Sequence, residues 1–284
     1  MKAKLKHSSI SVARCHGLGN VIMLLPVLDA VVADGRRVHL VTRPAWVSAL
    51  RALRPEFDIS ERRRPDTIDL DQATESLKPN SHRGEEFAEI LEVSAPTDPA
   101  RLRVPEGWSR PFLRWEGAVG FAPEAGHPSR TWPVDYTRAL AEKLKGAPLV
   151  LLGMSQTLPL PCDFDTRGQL GLEELLGLLK VLRLIICMDS GMMHLAAAVG
   201  VPTVCIFGGI TPEFRIHEEQ RVLALQAELS CCPCDKQEPC NGSYDCMKAI
   251  TPRTVLDVME ECFGSTARSV RRIPPPSPAG TPQL

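Results

Sequence analysis

Two short blocks of this 284-residue chain hold residue types that could do chemistry. The first is Gly17-Leu18-Gly19-Asn20, between a β-prone run ending at His16 and the apolar stretch 20–34. A strand that bends sharply into a helix needs residues without a Cβ. The N–H groups that open the helix favour an anion. Gly17 to Asn20 therefore either cradle a phosphate or only turn a corner. The second block is Asp189-Ser190-Gly191, which ends the run Leu184–Cys187 and opens a helix carrying His194 one turn later. Asp or Ser at that place caps the helix by accepting backbone N–H bonds. A cap leaves Gly191 and the imidazole without a purpose. Free N–H groups, a hydroxyl, a glycine and a histidine suit a diphosphate. On the pattern alone, cap and phosphate site both stand.

A third block is thiol-rich. Five of the ten cysteines fall between 231 and 246, and Cys262 follows. Cys231, Cys234, Cys240 and Cys246 form the natural Cys₄ set for a structural Zn²⁺ or iron. The pairs are closer than in common zinc ribbons, so free or transiently oxidised thiols are the other reading. Cys15, Cys162, Cys187 and Cys205 lie in or beside apolar segments and read as core thiols.

These blocks need elements to hold them. Residues 10–70 read as β-α-β-α-β: strands at 10–15, 37–43 and 66–72, helices at 20–34 and 44–53, the latter opened by Pro44. A short helix at 85–94 and a proline-rich connector at 95–111 follow. A second alternation runs from 117 to 209, and a last helix spans 252–263. The expected organisation is a short first lobe over 1–110, a second over 111–264, and a flexible tail over 265–284. The fold class is α/β, with two Rossmann-like, doubly wound lobes facing a cleft. Ligands of such sheets sit beyond the carboxyl ends of the strands. Both glycine-bearing turns fall there.

Composition excludes several classes. Lys+Arg total 33 against Asp+Glu 34, which gives no reason to expect nucleic acid. No apolar run reaches the roughly 20 residues that cross a bilayer. The basic start lacks the apolar core of a signal peptide. A cytoplasmic monomer is expected, with any membrane contact peripheral. The glycine turn lacks the third spaced glycine of a nicotinamide site, which argues against a dehydrogenase.

Taken together, several stretches resemble glycosyltransferase family 9, the heptosyltransferase-like family. They are Gly17-Leu18-Gly19-Asn20 with the following apolar run, residues 129–144, residues 188–212 and the cysteine-bearing segment 231–259. The resemblance runs in order over about 10–260, and its most specific part is Asp189-Ser190-Gly191 with His194. It implies a GT-B architecture and an inverting transfer of a sugar, often heptose. The donor is a nucleotide diphosphate sugar bound in the second lobe. The acceptor is a glycan or glycolipid such as lipopolysaccharide core, bound by the first. By position, Ser190, Gly191 and His194, with Asp189 beside them, would hold the diphosphate. Arg130 stands where the family often has lysine, and would neutralise the leaving nucleotide. Gly153 and Gln156 stand where the nucleoside is contacted, Gln156 in place of the usual glutamate. No catalytic metal is implied.

Asn20 departs from the Asp that usually acts as general base, and an amide cannot take a proton near neutral pH. Three readings follow. Another group, such as His16 or His82, is the base while Asn20 orients the acceptor. Or catalysis relies on positioning. Or the chain binds a nucleotide sugar without transferring it. A sugar-nucleotide epimerase of the same shape is a further rival, and would convert donor without acceptor.

Overall fold

The computed structural model describes residues 9–75, 81–234, 240–264 and 269–274. The chain divides into two compact units, Met1–Arg103 and Val104–Leu284.

The first unit runs β1 (Ser9–Ala13), α1 (Leu18–Ala33), β2 (Arg37–Val41), α2 (Pro44–Leu53), β3 (Asp58–Ser60), β4 (Ile68–Asp69), α3 (Leu70–Glu75) and α4 (Arg83–Ile90). Its four strands are parallel in the order β3-β2-β1-β4, with Ser9 opposite Arg37 and Val12 opposite Ile68. Helix α1 buries Val21, Ile22, Leu24, Leu25, Val27 and Leu28, more than one stripe, as a helix enclosed on several sides requires. It carries Pro26 within it, at the loss of one helical hydrogen bond.

The strand expected at 66–72 shortens to two residues. Asp69 Oδ1 accepts the N–H groups of Asp71 (3.0 Å) and Gln72 (3.1 Å) and so turns the chain into α3. That bend carries Asp71 to the carboxyl end of β1.

The second unit opens with α5 (Glu106–Ser109), which continues as a 3₁₀ turn over Arg110–Trp115. Then come β5 (Val119–Ala122), α6 (Val134–Lys143), β6 (Leu149–Leu151), β7 (Phe164–Asp165), α7 (Leu172–Val181), β8 (Leu184–Met188), α8 (Gly191–Val199), β9 (Thr203–Phe207), β10 (Val222–Ala227), α9 (Asp245–Ala249), α10 (Pro252–Gly264) and β11 (Ser269–Ile273). Seven parallel strands lie in the order β11-β10-β9-β8-β5-β6-β7. β5, β6, β8, β9 and β10 are buried throughout, as strands covered on both faces must be. The order reverses between β5 and β8, so the loops leaving those strands diverge at the place where open α/β sheets bind ligands.

Further features of the second unit differ from the sequence expectation. The segment 104–115, read as connector, packs on α7. A Cβ on Gly177 would fall 2.0 Å from the Trp108 carbonyl, and Lys180 Nζ donates to the Val104 carbonyl at 3.1 Å. The second unit therefore begins at Val104 rather than 111. Residues 269–273, read as part of a flexible tail, form the edge strand β11, registered on β10 from Leu223–Ser269 to Ala227–Ile273. The remainder of that tail, but for residue 274, and the Cys262 side chain lie outside the described residues.

Candidate functional site

The loops at the β5/β8 divergence bring Arg130, Asp189, Ser190 and Gly191 together. β8 ends at Met188, and Asp189, 2 % exposed, leads into Ser190, the N-cap of α8. Ser190 has extended backbone, and its hydroxyl makes no cap hydrogen bond. The cap reading of Ser190 is thus not realised, and the first-turn N–H groups of α8 are not claimed by this side chain. Arg130, on the loop after β5, donates through Nη1 to the Asp189 carbonyl oxygen at 3.1 Å, and its Nη1 is 3.7 Å from Asp189 Oδ2. Its side chain is 32 % exposed, so it is half-buried rather than enclosed. The Asp189 carboxylate offsets part of the Arg130 charge, so what this corner offers an anion is the guanidinium's remaining donors together with the helix N-terminus.

The Arg130 loop is held from three sides. Trp132 is buried, and its Nε1 donates to the Ile250 carbonyl at 2.8 Å. The backbone N–H of Ser129 donates to His127 Nδ1 at 3.3 Å. Gly208, on the loop after β9, meets Ser129 backbone to backbone, since a Cβ there would lie 1.9 Å from the Ser129 carbonyl oxygen. The β9 loop is in turn clamped by Gln226 of β10, whose Nε2 donates to the Gly208 and Ile210 carbonyls, both at 2.8 Å. Gln226 Oε1 accepts from Arg272 of β11. His194 lies in the first turn of α8 as expected, but it is buried at 6 % exposure.

The loop after β6 carries Gly153 and Gln156. Gly153 has φ +148°, and a Cβ there would lie 2.9 Å from Glu124 Oε2. Glu124 Oε2 accepts the N–H groups of Met154 (3.0 Å) and Ser155 (3.1 Å), which ties the β5 and β6 loops together. Gln156 Nε2 donates to the Arg167 carbonyl at 2.9 Å. Arg167, fully buried, forms a bidentate pair with Asp165 at 2.9 and 2.7 Å and donates to the Leu158 carbonyl. The Arg167 hydrogen bonds hold the Asp165 carboxyl below the usual carboxylate range. Gln156 therefore ties the loop after β6 to the segment that follows β7, and Glu124 is the carboxylate that holds the Gly153 turn. Sequence reasoning missed Glu124, although an acid directly after a buried strand was the available signal.

In the first unit, Gly17 opens α1 at φ +76°, a conformation that favours glycine, and a Cβ there would lie 2.9 Å from Asn20 Nδ2. Asn20 N–H donates to the Gly17 carbonyl (2.9 Å), and its amide Nδ2 donates to the His16 carbonyl (3.4 Å). Leu18 is half-buried and Gly19 buried. Asp71 braces the approach to this turn: Oδ2 accepts Cys15 N–H at 2.7 Å, and Oδ1 accepts His16 N–H at 3.0 Å. The buried Arg14 lies 3.2 Å from Asp71 Oδ1 and donates to Leu70 O and Thr74 Oγ1, both at 2.9 Å. His16 is 75 % exposed, and its Nδ1 is 3.5 Å from Asp71 Oδ2. His82 Nδ1 accepts the Gly84 N–H at 3.1 Å as the N-cap of α4.

The four thiols of the expected Cys₄ set do not converge: among the described residues, no three His, Cys, Asp or Glu side chains are placed to hold a metal ion. Cys234 is turned toward Gly209, its Sγ 2.5 Å from where a Cβ would stand. Cys246 is buried in the core, and its hydrogen-bond partner is Cys232, which lies outside that set. The Cys232 S–H bond lowers the Cys246 thiol to about 7 and raises its own. The Gly208 carbonyl, 3.3 Å from Cys232 Sγ, is the alternative acceptor for that one thiol proton.

Residues 87–244, more than half of the chain, match the family described as Glycosyltransferase family 9 (heptosyltransferase). The chain belongs to this family. It is 25 % identical over 155 residues to lipopolysaccharide heptosyltransferase 2 of Salmonella typhimurium, covering 49 % of this chain and 44 % of that protein. It is 33 % identical over 124 residues to lipopolysaccharide heptosyltransferase 1 of Pseudomonas aeruginosa, covering 38 % of this chain and 34 % of that protein. The chain spans less than half the length of these curated relatives. Among solved structures it resembles the dodecameric iron-containing heptosyltransferase TibC in complex with ADP-D-beta-D-heptose. That likeness has a TM-score of 0.75 and 17 % identity over 91 % of this chain and 76 % of that one. E. coli ADP-heptose lps heptosyltransferase II gives a TM-score of 0.64 and 16 % identity, over 90 % and 98 % of the two chains. These likenesses establish the GT-B fold for this family 9 chain. No helix among the described residues is long and apolar enough to cross a membrane.

Proposed function

We propose that the chain transfers a sugar, heptose or one like it, from a nucleoside diphosphate donor to a glycan acceptor such as lipopolysaccharide core, with inversion, in the cytoplasm. The observation that carries this reading is Arg130 seated on Asp189 beside the α8 N-terminus, where Ser190 makes no cap bond. The donor diphosphate would lie against the first-turn N–H groups of α8, the Ser190 hydroxyl and Arg130. Gly191 leaves the backbone accessible. As the bond to the anomeric carbon breaks, charge grows on the departing diphosphate. Preorganised N–H groups and a guanidinium stabilise that charge without rearranging. Buried His194 would support the α8 turn from within.

Gly153 and Glu124 would line the nucleoside end, with Gln156 holding the Gly153 loop against Arg167. The first unit would take the acceptor at the Gly17–Asn20 turn. Asn20 orients that turn through its bonds to Gly17 and His16, and the proton of the attacking hydroxyl goes to His16. His82 is left to its helix cap. The cysteines as placed do not fit a Cys₄ metal site, and no step is drawn through one.

The test is transfer itself: the purified chain, ADP-β-D-heptose and core oligosaccharide, with ADP release followed with and without acceptor. Acceptor-dependent release supports the reading. Tight ADP binding without release supports a nucleotide-sugar-binding protein, which Asn20 favours. Conversion of the donor sugar alone supports an epimerase.

A further inference from the structure

We propose that Asp71 and His16 act as a pair, with Asp71 the positioning residue that aims His16 at the acceptor hydroxyl. This rests on the transferase reading above. The turn that ends β1 carries no carboxylate of its own, since Asn20 is an amide engaged to the His16 carbonyl. A carboxylate nevertheless reaches that turn from another strand. The Asp69 cap bends β4 into α3 and delivers Asp71 beneath residues 15 and 16.

The geometry of the pair is asymmetric. Asp71 is nearly buried, at 11 % exposure, and is fixed by two backbone N–H groups and by Arg14. The Arg14 guanidinium is itself locked on Leu70, Thr74 and the Phe87 ring. His16 is the opposite, an exposed ring on a fixed backbone. Its Nδ1 lies 3.5 Å from Asp71 Oδ2, and a closure of about 0.5 Å makes that a hydrogen bond. Catalytic hydrogen bonds commonly tighten only when substrate is bound. With Nδ1–H given to Asp71, Nε2 carries the lone pair on a ring whose side chain is 75 % exposed. A third group that orients a base is the arrangement by which imidazoles are recruited to take protons.

The step balances as follows. The acceptor oxygen forms a bond to the anomeric carbon. The bond from that carbon to the diphosphate oxygen breaks, and its electron pair leaves with the nucleoside diphosphate. The hydroxyl proton moves to His16 Nε2, and Asp71 faces the resulting imidazolium.

The test uses the full chain with ADP-β-D-heptose and core oligosaccharide, following ADP release. His16→Ala is expected to lower kcat by about 10²–10⁴-fold, with KM for the donor unchanged. Added imidazole is expected to restore part of that loss in His16→Ala and nothing in Asp71→Asn. Asp71→Asn is expected to lower kcat on its own and to add no further loss on top of His16→Ala. Because Asp71 also holds two backbone N–H groups, melting temperature and ADP affinity are measured on every variant. The imidazole arm stands even if Asp71→Asn folds poorly. Acceptor-dependent release that survives His16→Ala overturns the pair while leaving the transferase reading intact. So does a double variant clearly worse than His16→Ala alone. Absence of any release by the unmodified chain overturns both.

Discussion

Gly208 is where the packing of the second unit and its candidate chemistry can be separated. A Cβ there would lie 1.9 Å from the Ser129 carbonyl oxygen and 3.0 Å from Met247 Sδ. An ordinary carbon–oxygen contact is about 3.3 Å, so Gly208→Ala must part the two loops by more than about 1 Å. The Ser129 oxygen belongs to the backbone and cannot rotate away, whereas the Met247 thioether can shift to another rotamer, so the cost is set by the Ser129 contact. Overpacking of this kind costs about 1–3 kcal/mol. For a domain of this size that is a drop of roughly 3–10 °C in Tm. Ser129 adjoins Arg130, so the displacement also moves the guanidinium off Asp189. Losing one charge-assisted contact to a diphosphate is worth about 1–2 kcal/mol at a partly exposed site, or roughly a 5- to 30-fold rise in Kd for ADP.

Gly177→Ala is the matched control. Its Cβ would fall 2.0 Å from the Trp108 carbonyl, an equal overlap on α7 against α5 rather than on the Arg130 loop. Thermal melts and calorimetric titration with ADP on both variants give the answer. Both are expected to lose comparable Tm, and only Gly208→Ala to lose affinity. If Gly208→Ala melts early yet binds ADP as tightly as Gly177→Ala, the loop after β9 does not position Arg130 and the reasoning fails.

Arg130→Ala is expected to weaken ADP binding by roughly 5- to 30-fold, with Arg130→Lys retaining part of the affinity; equal Kd values for all three proteins would remove Arg130 from the site. Gln226→Leu orphans the Gly208 and Ile210 carbonyls and is expected to cost about 1–3 kcal/mol for each, read as an early urea transition, and a midpoint unchanged from the parent would contradict the clamp. Asp165 is held below the usual carboxylate range by Arg167, so its contribution to stability is present above about pH 4 and is lost as pH falls through its depressed value. Asp165→Asn is expected to be less stable at pH 7 and to lose less on acidification, and parallel stability-against-pH curves for the two proteins would argue against the pair.

Much of the framework was legible because each signal was local. Helix α2 spans Pro44–Leu53 as read, because Pro44 pre-sets the first turn. Helix α8 stops at Gly200, which takes the left-handed conformation at φ +90° that the helix end calls for. β8 and β9 are continuous apolar runs, which parallel strands buried on both faces require.

The rest depended on contacts between distant segments. β3 has three residues, too few for any period to show. β11 reads Ser-Val-Arg-Arg-Ile, a polar segment whose strand character comes from pairing with β10. Asp71 lay within an expected strand, and only the Asp69 cap reveals that it serves the β1 turn. Spacing suggested Cys231, Cys234, Cys240 and Cys246 as a set, whereas burial of Cys246 in the core pairs it with Cys232.

The central claim is that the α8 N-terminus and Arg130 bind the diphosphate of a nucleotide sugar. Calorimetric titration of the full chain with ADP, UDP, GDP and ADP-β-D-heptose tests it most directly, alongside AMP as the single-phosphate control. The account predicts saturable binding to a nucleoside diphosphate, at least tenfold weaker for its monophosphate and weakened in Arg130→Ala. No heat with any diphosphate, or equal affinity for ADP and AMP, would contradict it.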